Sequence, residues 1–299
     1  MQARVLLTLA LCGSLTTASL AQTPAAPAGS LTLDAGKQQG LRALPSPGVK
    51  VFASAGATPR ATLVAARLNK AYAYFNQLLG FRPTVALLVL SAEDHKARYG
   101  SDTYGLPFYR DGYLVLPAEA SPAQAELARQ AKKLSTDPVD QQRIDGYFEL
   151  LDVYELAQAY TGQRLNTAAT GKPWLNEYCA ILMQYAYVAQ QEPKLLPTVE
   201  TLPRVVAFHD TTPYPHRTLA DFASAVANPQ NYAWYRNLLG LHAAEAYQTG
   251  GPAVVQRLYT FLLNNPSNDL LGANAAMATR LEKEISPAVA GIITTWPAQ

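Results

Sequence analysis

The stretch Thr84-Val-Ala-Leu-Leu-Val-Leu90, followed at once by Ser91-Ala-Glu-Asp94, decides the fold of the first half of the chain. Its first seven residues are uncharged and mostly apolar, which predicts a buried strand. Ser91 with an acidic residue three positions later is typical of the first turn of a helix. A buried strand that leads directly into a helix indicates an α/β layer.

The same alternation continues on both sides of this stretch. Val49–Ala53 has the character of a short strand. Thr58-Pro59 joins a capping residue to a proline at the first helical position, so a helix is expected from there to about Leu79, with Gly80 as its stop. Tyr113–Pro117 is predicted to be a further strand, which its proline closes. Together these elements predict a small mixed sheet covered by helices.

From Pro122 onward nearly every segment has a helical pattern. Helices are expected over about 122–133, 138–161, 174–191, 194–207, 229–248, 252–263 and 270–283. The predicted fold class is therefore α+β, with an α/β lobe over 31–161 and an all-helical lobe over 162–299, which together form one domain over 31–299.

The composition excludes several functions. The chain has 299 residues, a formal net charge of +2 and a charged fraction of 15%. This fraction is below the usual level of about 25%, and there is no basic excess of the kind that binds nucleic acid. After the first residues, no segment is long and apolar enough to predict a membrane span.

The first 21 residues have the pattern of an export signal. Arg4 precedes the apolar run Val5–Cys12, and Ser19-Leu-Ala21 places small residues at a cleavage site. We expect cleavage after Ala21, a flexible tether over 22–30 and a periplasmic or secreted location. Lipid anchoring through Cys12 is the alternative, although the large Leu11 stands where a small residue is wanted.

The segment from 146 to 185 carries the candidate chemistry. Gly146–Tyr160 predicts a helix that is apolar nearly all round and therefore buried, yet it contains Glu155 and Gln158. Tyr154 and Gln158 are four residues apart, so they project from the same face. Residues 159–176 then separate Gln158 from Glu177, which lies in the tract Trp174-Leu-Asn-Glu177 at the start of the next helix.

This arrangement resembles the gluzincin zinc metallopeptidases, the superfamily of peptidase-MA-like and aminopeptidase-N-like enzymes. Its members carry His-Glu-x-x-His on one helix and a third zinc ligand, Glu, on a following helix. In the aminopeptidase-N-like branch that Glu stands in a Trp-Leu-Asn-Glu tract. The resemblance is specific over 153–178 and implies a zincin-like fold, with metal ligands at positions 154, 158 and 177 and Glu155 as general base.

The chain departs from the family at both histidines, where it has Tyr154 and Gln158. Zinc sites need about three good protein ligands, and an amide is a weak one. A phenol must lose a proton with a pKa near 10. We therefore expect no metal cofactor and a vestigial Glu155 and Glu177. The predicted function is a catalytically inactive metallopeptidase relative that binds a peptide or protein ligand or serves as a scaffold.

Two alternatives stay open. In the first, Glu155, Glu177, His242 and Glu245 form a remodelled zinc site in an active hydrolase, since His242 and Glu245 are three apart on one predicted helix. In the second, the chain is a purely structural extracytoplasmic protein whose likeness to the peptidases is accidental.

Other residues receive simpler predictions. A cleft between the two lobes is expected to be lined by Trp174, Asn176, Tyr232, Tyr235 and His242, although aromatic residues at helical spacing are more often core. Among the remaining nucleophiles and imidazoles, Cys179 is expected to be an inert core thiol, His95 to be exposed on a short helix, and His209 and His216 to lie in a proline-rich loop without partners at ligand spacing.

Overall fold

The computed structural model describes residues 31–100, 104–165, 172–207, 214–265 and 274–296. The predicted signal peptide 1–21 with Cys12, the tether 22–30 and His209 lie outside these residues. Within them the architecture is α+β, as predicted: a small mixed sheet near the amino terminus is followed by helices.

Five strands form the sheet in the order β1-β2-β3-β5-β4. Their bounds are Arg42–Leu44 (β1), Lys50–Ala53 (β2), Ala86–Leu90 (β3), Phe108–Arg110 (β4) and Tyr113–Pro117 (β5). β2, β3 and β5 are parallel, while β1 and β4 pair antiparallel at the two edges. β3 lies in the middle and all five of its residues are buried, because helices and loops cover both faces of its apolar run.

The hairpin between β4 and β5 depends on its turn residues. Asp111 and Gly112 have φ angles of 50° and 84°, the conformation that a two-residue turn of the right twist requires. A Cβ atom at Gly112 would lie 2.5 Å from Leu33 Cδ2, so a glycine is needed there for space as well.

Eleven α-helices are present in the described residues. They span Thr58–Leu79 (α1), Ala92–Tyr99 (α2), Pro122–Lys132 (α3), Pro138–Glu149 (α4), Leu151–Arg164 (α5), Pro173–Gln191 (α6), Leu196–Ala207 (α7), Phe222–Ala225 (α8), Pro229–Asn264 (α9), Asn274–Glu284 (α10) and Pro287–Thr295 (α11). Gly80 ends α1 in the left-handed conformation and Ser91 caps α2, as predicted. The predicted cap Thr58 is itself the first helical residue, and Ala57 is the residue before the helix, so α1 begins one position earlier than the capping pattern indicates.

The predicted helix over 138–161 is wrong in one respect, since it is two helices that meet at Leu150. The Leu150 carbonyl accepts a hydrogen bond from the Val153 amide at 3.2 Å and another from Gln184 Nε2 at 2.7 Å. These bonds replace the regular bond to the amide four residues on. The break therefore comes from α6, a partner distant in sequence.

The two helices predicted over 229–248 and 252–263 form α9, which has a kink. Gly251 is non-helical inside it, with φ 57° and ψ −157°. Pro252 follows and begins the second part of the helix. The predicted break therefore lies where the Gly-Gly-Pro sequence indicated, although no loop separates the parts.

One hydrophobic core contains residues of both predicted lobes, from Val51 in the sheet to Trp296 after α11. At its centre is α6, which packs against α5 and α9 and is buried throughout residues 174–188. No helix in the described part of the chain combines the length and apolar character that a membrane crossing requires.

Candidate functional site

The candidate site lies where α5 and α6 pack together. Tyr154 and Gln158 lie on the same face of α5, while Glu177 lies in the second turn of α6. Tyr154 and Glu177 are 3% and 7% exposed, so the polar ends of both side chains need partners within the protein.

The three side chains satisfy one another. Tyr154 Oη donates to Glu177 Oε1 at 2.6 Å, and Gln158 Nε2 donates to Glu177 Oε2 at 3.1 Å. Gln158 Nε2 also donates to Tyr154 Oη. Both oxygens of the Glu177 carboxylate are therefore engaged by the two residues that replace the histidines of the resembled motif.

A positive charge from α9 completes this cluster. Arg236 Nε lies 3.2 Å from Glu177 Oε1, an ion pair whose angle is not that of a hydrogen bond. The guanidinium carbon of Arg236 lies 3.9 Å from the centre of the Tyr154 ring and 5.8 Å from that of Tyr232. Arg236 thus neutralises Glu177 in a setting where an unpaired carboxylate would be costly.

Glu155 contacts the edge of the sheet. Its Oε2 accepts a hydrogen bond from the Tyr109 amide of β4 at 2.8 Å. Burial raises the pKa of Glu155 to about 8, the Arg236 charge lowers it, and the Glu177 charge adds to the rise. The charge of Arg236 therefore acts on both Glu155 and Glu177, and the charge of Glu177 also acts on Glu155.

These residues do not fit a zinc ion of the kind that the resemblance implies. Burial and the Glu177 charge raise the pKa of Tyr154 well above its ordinary value, so the phenol keeps its proton and donates it. Gln158 presents its amide nitrogen to the cluster, which is a donor and not a ligand. The Arg236 charge beside Glu177 would also repel a divalent cation.

The residues of the proposed remodelled site are not brought together as metal ligands. His242 stacks on Trp296 with ring centroids 6.3 Å apart, and its Nδ1 lies 3.9 Å from Glu245 Oε2. Burial lowers the pKa of His242, an effect that the Glu245 charge opposes. Across the described ranges, no group of three or more His, Cys, Asp or Glu side chains is arranged to hold a metal ion.

Most residues expected to line a cleft pack inside the protein instead. Trp174 is 3% exposed, Asn176 5% and Tyr235 0%. Tyr235 stacks on Trp296 and donates to the Thr218 carbonyl, contacts that belong to the core. Because α6 and α9 pack against each other, the side chains between them fill the space in which a cleft was expected. Tyr232 retains partial exposure, with its Oη 3.4 Å from Tyr154 Oη.

Two further candidate residues, His95 and Cys179, are both buried. The exposure expected for His95 is wrong: it is 3% exposed, because the rings of Tyr99, Tyr104 and Phe108 surround it. Burial, and then the charge of Arg110, lower its pKa. Cys179 is a free thiol in the core, as predicted, and burial raises its pKa to about 12.

Sequence reasoning missed two members of the site, Arg236 and Tyr109. Arg236 carried a usable signal, since it is the one charged residue within Asn231–His242, a run of aromatic and aliphatic residues in a helix. A charge in such a helix requires a buried partner. Tyr109 contributes only its backbone amide, which no side-chain pattern could reveal.

Two surface grooves lie elsewhere on the protein. One has a volume of about 260 Å³ and is lined by residues of α9, with Glu284 at its side. The other has a volume of about 400 Å³ and lies along α1, where Asn69, Tyr72, Asn76 and Gln77 face Arg82. The second groove offers amide and guanidinium donors beside an aromatic ring.

Comparison with known proteins gives no relative: no protein-family model, no curated protein and no solved structure matches the chain.

Proposed function

We propose that this chain is a catalytically silent, extracytoplasmic relative of the gluzincin zinc metallopeptidases, with a zincin-like fold and a role in binding a peptide or protein. The observation that carries the proposal is the closed cluster of Tyr154, Gln158 and Glu177. The positions of three metal ligands are kept on two packed helices, while their chemistry has become that of a hydrogen-bond network.

Glu155, at the position of the family's general base, also has a hydrogen-bond partner within the chain. Glu155 Oε2 accepts from the Tyr109 amide, so one of the two oxygens of this carboxyl group is tied to the sheet edge. Without a metal, a water molecule keeps a pKa near its bulk value of about 15.7 and is a poor nucleophile. Both points support a chain that no longer hydrolyses peptides.

A binding role is supported by the groove along α1. Asn69 is held rigid because its Oδ1 accepts the amides of Gly48 and Val49 at 3.1 and 3.0 Å. Asn76, which also lines the groove, is held because its Oδ1 accepts from Tyr160 Oη at 2.6 Å. Side-chain amides that line a groove suit the carbonyl and amide groups of a peptide.

The proposed loss of the catalytic zinc is tested with the double variant Tyr154→His with Gln158→His, in which bound zinc is measured by elemental analysis. The natural chain is expected to hold none and the double variant some. Adding Glu177→Gln to the double variant removes the third ligand and should abolish that zinc. Stoichiometric zinc in the natural chain would establish the remodelled, active hydrolase instead, and an empty double variant would favour an accidental likeness.

The binding role is tested separately with a pool of unbiased peptides, followed by amide chemical shifts. Shifts are expected at Asn76 and Gln77, and Arg82→Glu should weaken them. Matched substitution of an arginine remote from the groove, Arg129→Glu, should leave them unchanged. An absence of shifts along α1 would contradict a peptide ligand in this groove.

A further inference from the structure

The surroundings of Arg236 have the features of a binding pocket. One side is the carboxylate of Glu177, 3.2 Å from Nε. A second side is the face of the Tyr154 ring, at 3.9 Å from the guanidinium carbon, and a third is Tyr232 at 5.8 Å. An acid and two aromatic faces are the groups that recognise an organic cation.

The shape of this pocket favours a planar cation over a metal ion or an ammonium group. The distance of 3.9 Å from the guanidinium carbon to the ring centre is short enough for a cation–π contact, which a flat guanidinium suits. Guanidinium is also weakly hydrated, so it loses less on leaving water than a compact ammonium does. A divalent metal would find only one carboxyl group among these three residues.

The donors around Glu177 define where a cation can bind. Its Oε2 is taken by Gln158, and its Oε1 is taken by Tyr154 Oη on the α5 side. The approach from α9 is left, and that is where Arg236 lies, four residues after Tyr232 on the same helix. The position is thus set by packing of three helices and not by Arg236 alone.

We propose that Tyr154, Glu177 and Tyr232 form a guanidinium-binding pocket that the chain fills with its own Arg236. Emptied of that side chain, the pocket takes up a free alkylguanidinium. This inference rests on contacts within the chain and holds whether or not the chain descends from peptidases.

The experiment replaces Arg236 with Ala and adds methylguanidinium in the millimolar range, below denaturing concentrations. Arg236→Ala is expected to lower the melting temperature by about 5–10 °C, the shift for loss of one partner of a buried ion pair in a chain of this size. Methylguanidinium should restore part of that loss along a saturable curve, because a ligand that binds only the folded state stabilises it by mass action.

Two controls separate pocket binding from general salt effects. The variant Arg236→Ala with Glu177→Gln keeps the cavity without the carboxylate and should show no saturable rise. Methylammonium, which has the same charge but no flat face, should give a smaller rise than methylguanidinium. A melting temperature of Arg236→Ala equal to that of the natural chain, or equal rises in both variants, overturns the proposal.

A second pair of measurements covers the case in which Arg236→Ala does not fold. Arg236→Lys keeps the charge and loses the flat face, so its melting temperature should be lower than that of the natural chain. In the natural chain the Arg236 Nε proton should resonate upfield and exchange slowly, because the guanidinium group lies over the Tyr154 ring. An unshifted, rapidly exchanging proton, or full stability of Arg236→Lys, contradicts the pocket.

Discussion

The Tyr109 amide of the edge strand β4 donates to Glu155 Oε2 of helix α5 at 2.8 Å. This bond joins the sheet to the buried helix through a carboxyl group that burial makes hard to ionise. The Glu155 side chain therefore links the position of the β4 backbone to the pKa of its own carboxyl group.

The first prediction concerns pH. The pKa of Glu155 is raised to about 8, so the folded chain holds this proton more tightly than the unfolded chain does. Raising the pH from about 5 to 8 should therefore lower the free energy of unfolding. Asp152, whose pKa burial raises to about 7 against the lowering effect of Arg67, contributes in the same direction. Glu155→Gln should flatten this decline in urea titrations at several pH values.

A control for the pH prediction is Glu126→Gln. Glu126 is exposed and its pKa is lowered, chiefly by its hydrogen bond with Arg129. Its stabilising effect is lost as the pH falls, so this substitution should leave the decline above pH 5 unchanged. An undiminished decline in Glu155→Gln would contradict the raised pKa.

The second prediction compares two tyrosines. Tyr154→Phe removes the donor to Glu177 and should lower the free energy of unfolding by about 1–3 kcal/mol, since a buried charged acceptor loses a partner. Tyr74 Oη is buried and finds no hydrogen-bond partner within the described residues, so Tyr74→Phe should be neutral or stabilising. Equal effects of the two substitutions in denaturant titrations would refute the role of the Tyr154 bond.

The third prediction compares two glycines. A Cβ at Gly48 would lie 2.8 Å from Asn69 Oδ1 and 3.3 Å from Tyr72 Cδ1, so Gly48→Ala should destabilise by about 1–3 kcal/mol. It should also change peptide binding along α1, because Asn69 orders this groove. At Gly291 in α11 nothing lies within 4 Å of the added carbon, and Gly291→Ala should stabilise by about 0.5–1 kcal/mol. Thermal melts should show a lower melting temperature than that of the natural chain for Gly48→Ala and a higher one for Gly291→Ala.

The fourth prediction concerns export. A tagged full-length chain produced in a host with an extracytoplasmic compartment should be recovered there with Gln22 as its first residue, which mass spectrometry can establish. Cys12→Ser should leave the product unchanged. If processing instead begins at a lipid-modified Cys12, the anchoring alternative is correct and the cleavage prediction fails.

The strands and helices that the sequence predicted are those with long or strongly marked patterns. β3 and α1 are examples, since an uncharged run and a Pro-to-Gly span depend only on local residues. The edge strands β1 and β4 have three residues each, too few for a pattern, and they exist because neighbouring strands pair with them. The break at Leu150 likewise depends on Gln184, a contact across the core.

The candidate site was predictable in its positions but not in its bonds. The spacing placed Tyr154 and Gln158 on one face, the resemblance implied that Glu177 joins them, and the described structure does bring the three together. Which of them donates, and that Arg236 supplies the charge, depends on how α9 packs against α6. The same packing buries Trp174 and Tyr235, whose aromatic character alone could not distinguish a ligand surface from a core.

The two outer strands have a consequence for self-association. A sheet that ends in short strands offers an incoming strand little backbone to pair with, and long bare edges are what drive fibril-like assembly. Here each border is three residues long, and at β4 the outward amide of Tyr109 is already bonded to Glu155. The Glu155 carboxyl group thus also occupies one backbone donor through which a further strand could pair with that edge.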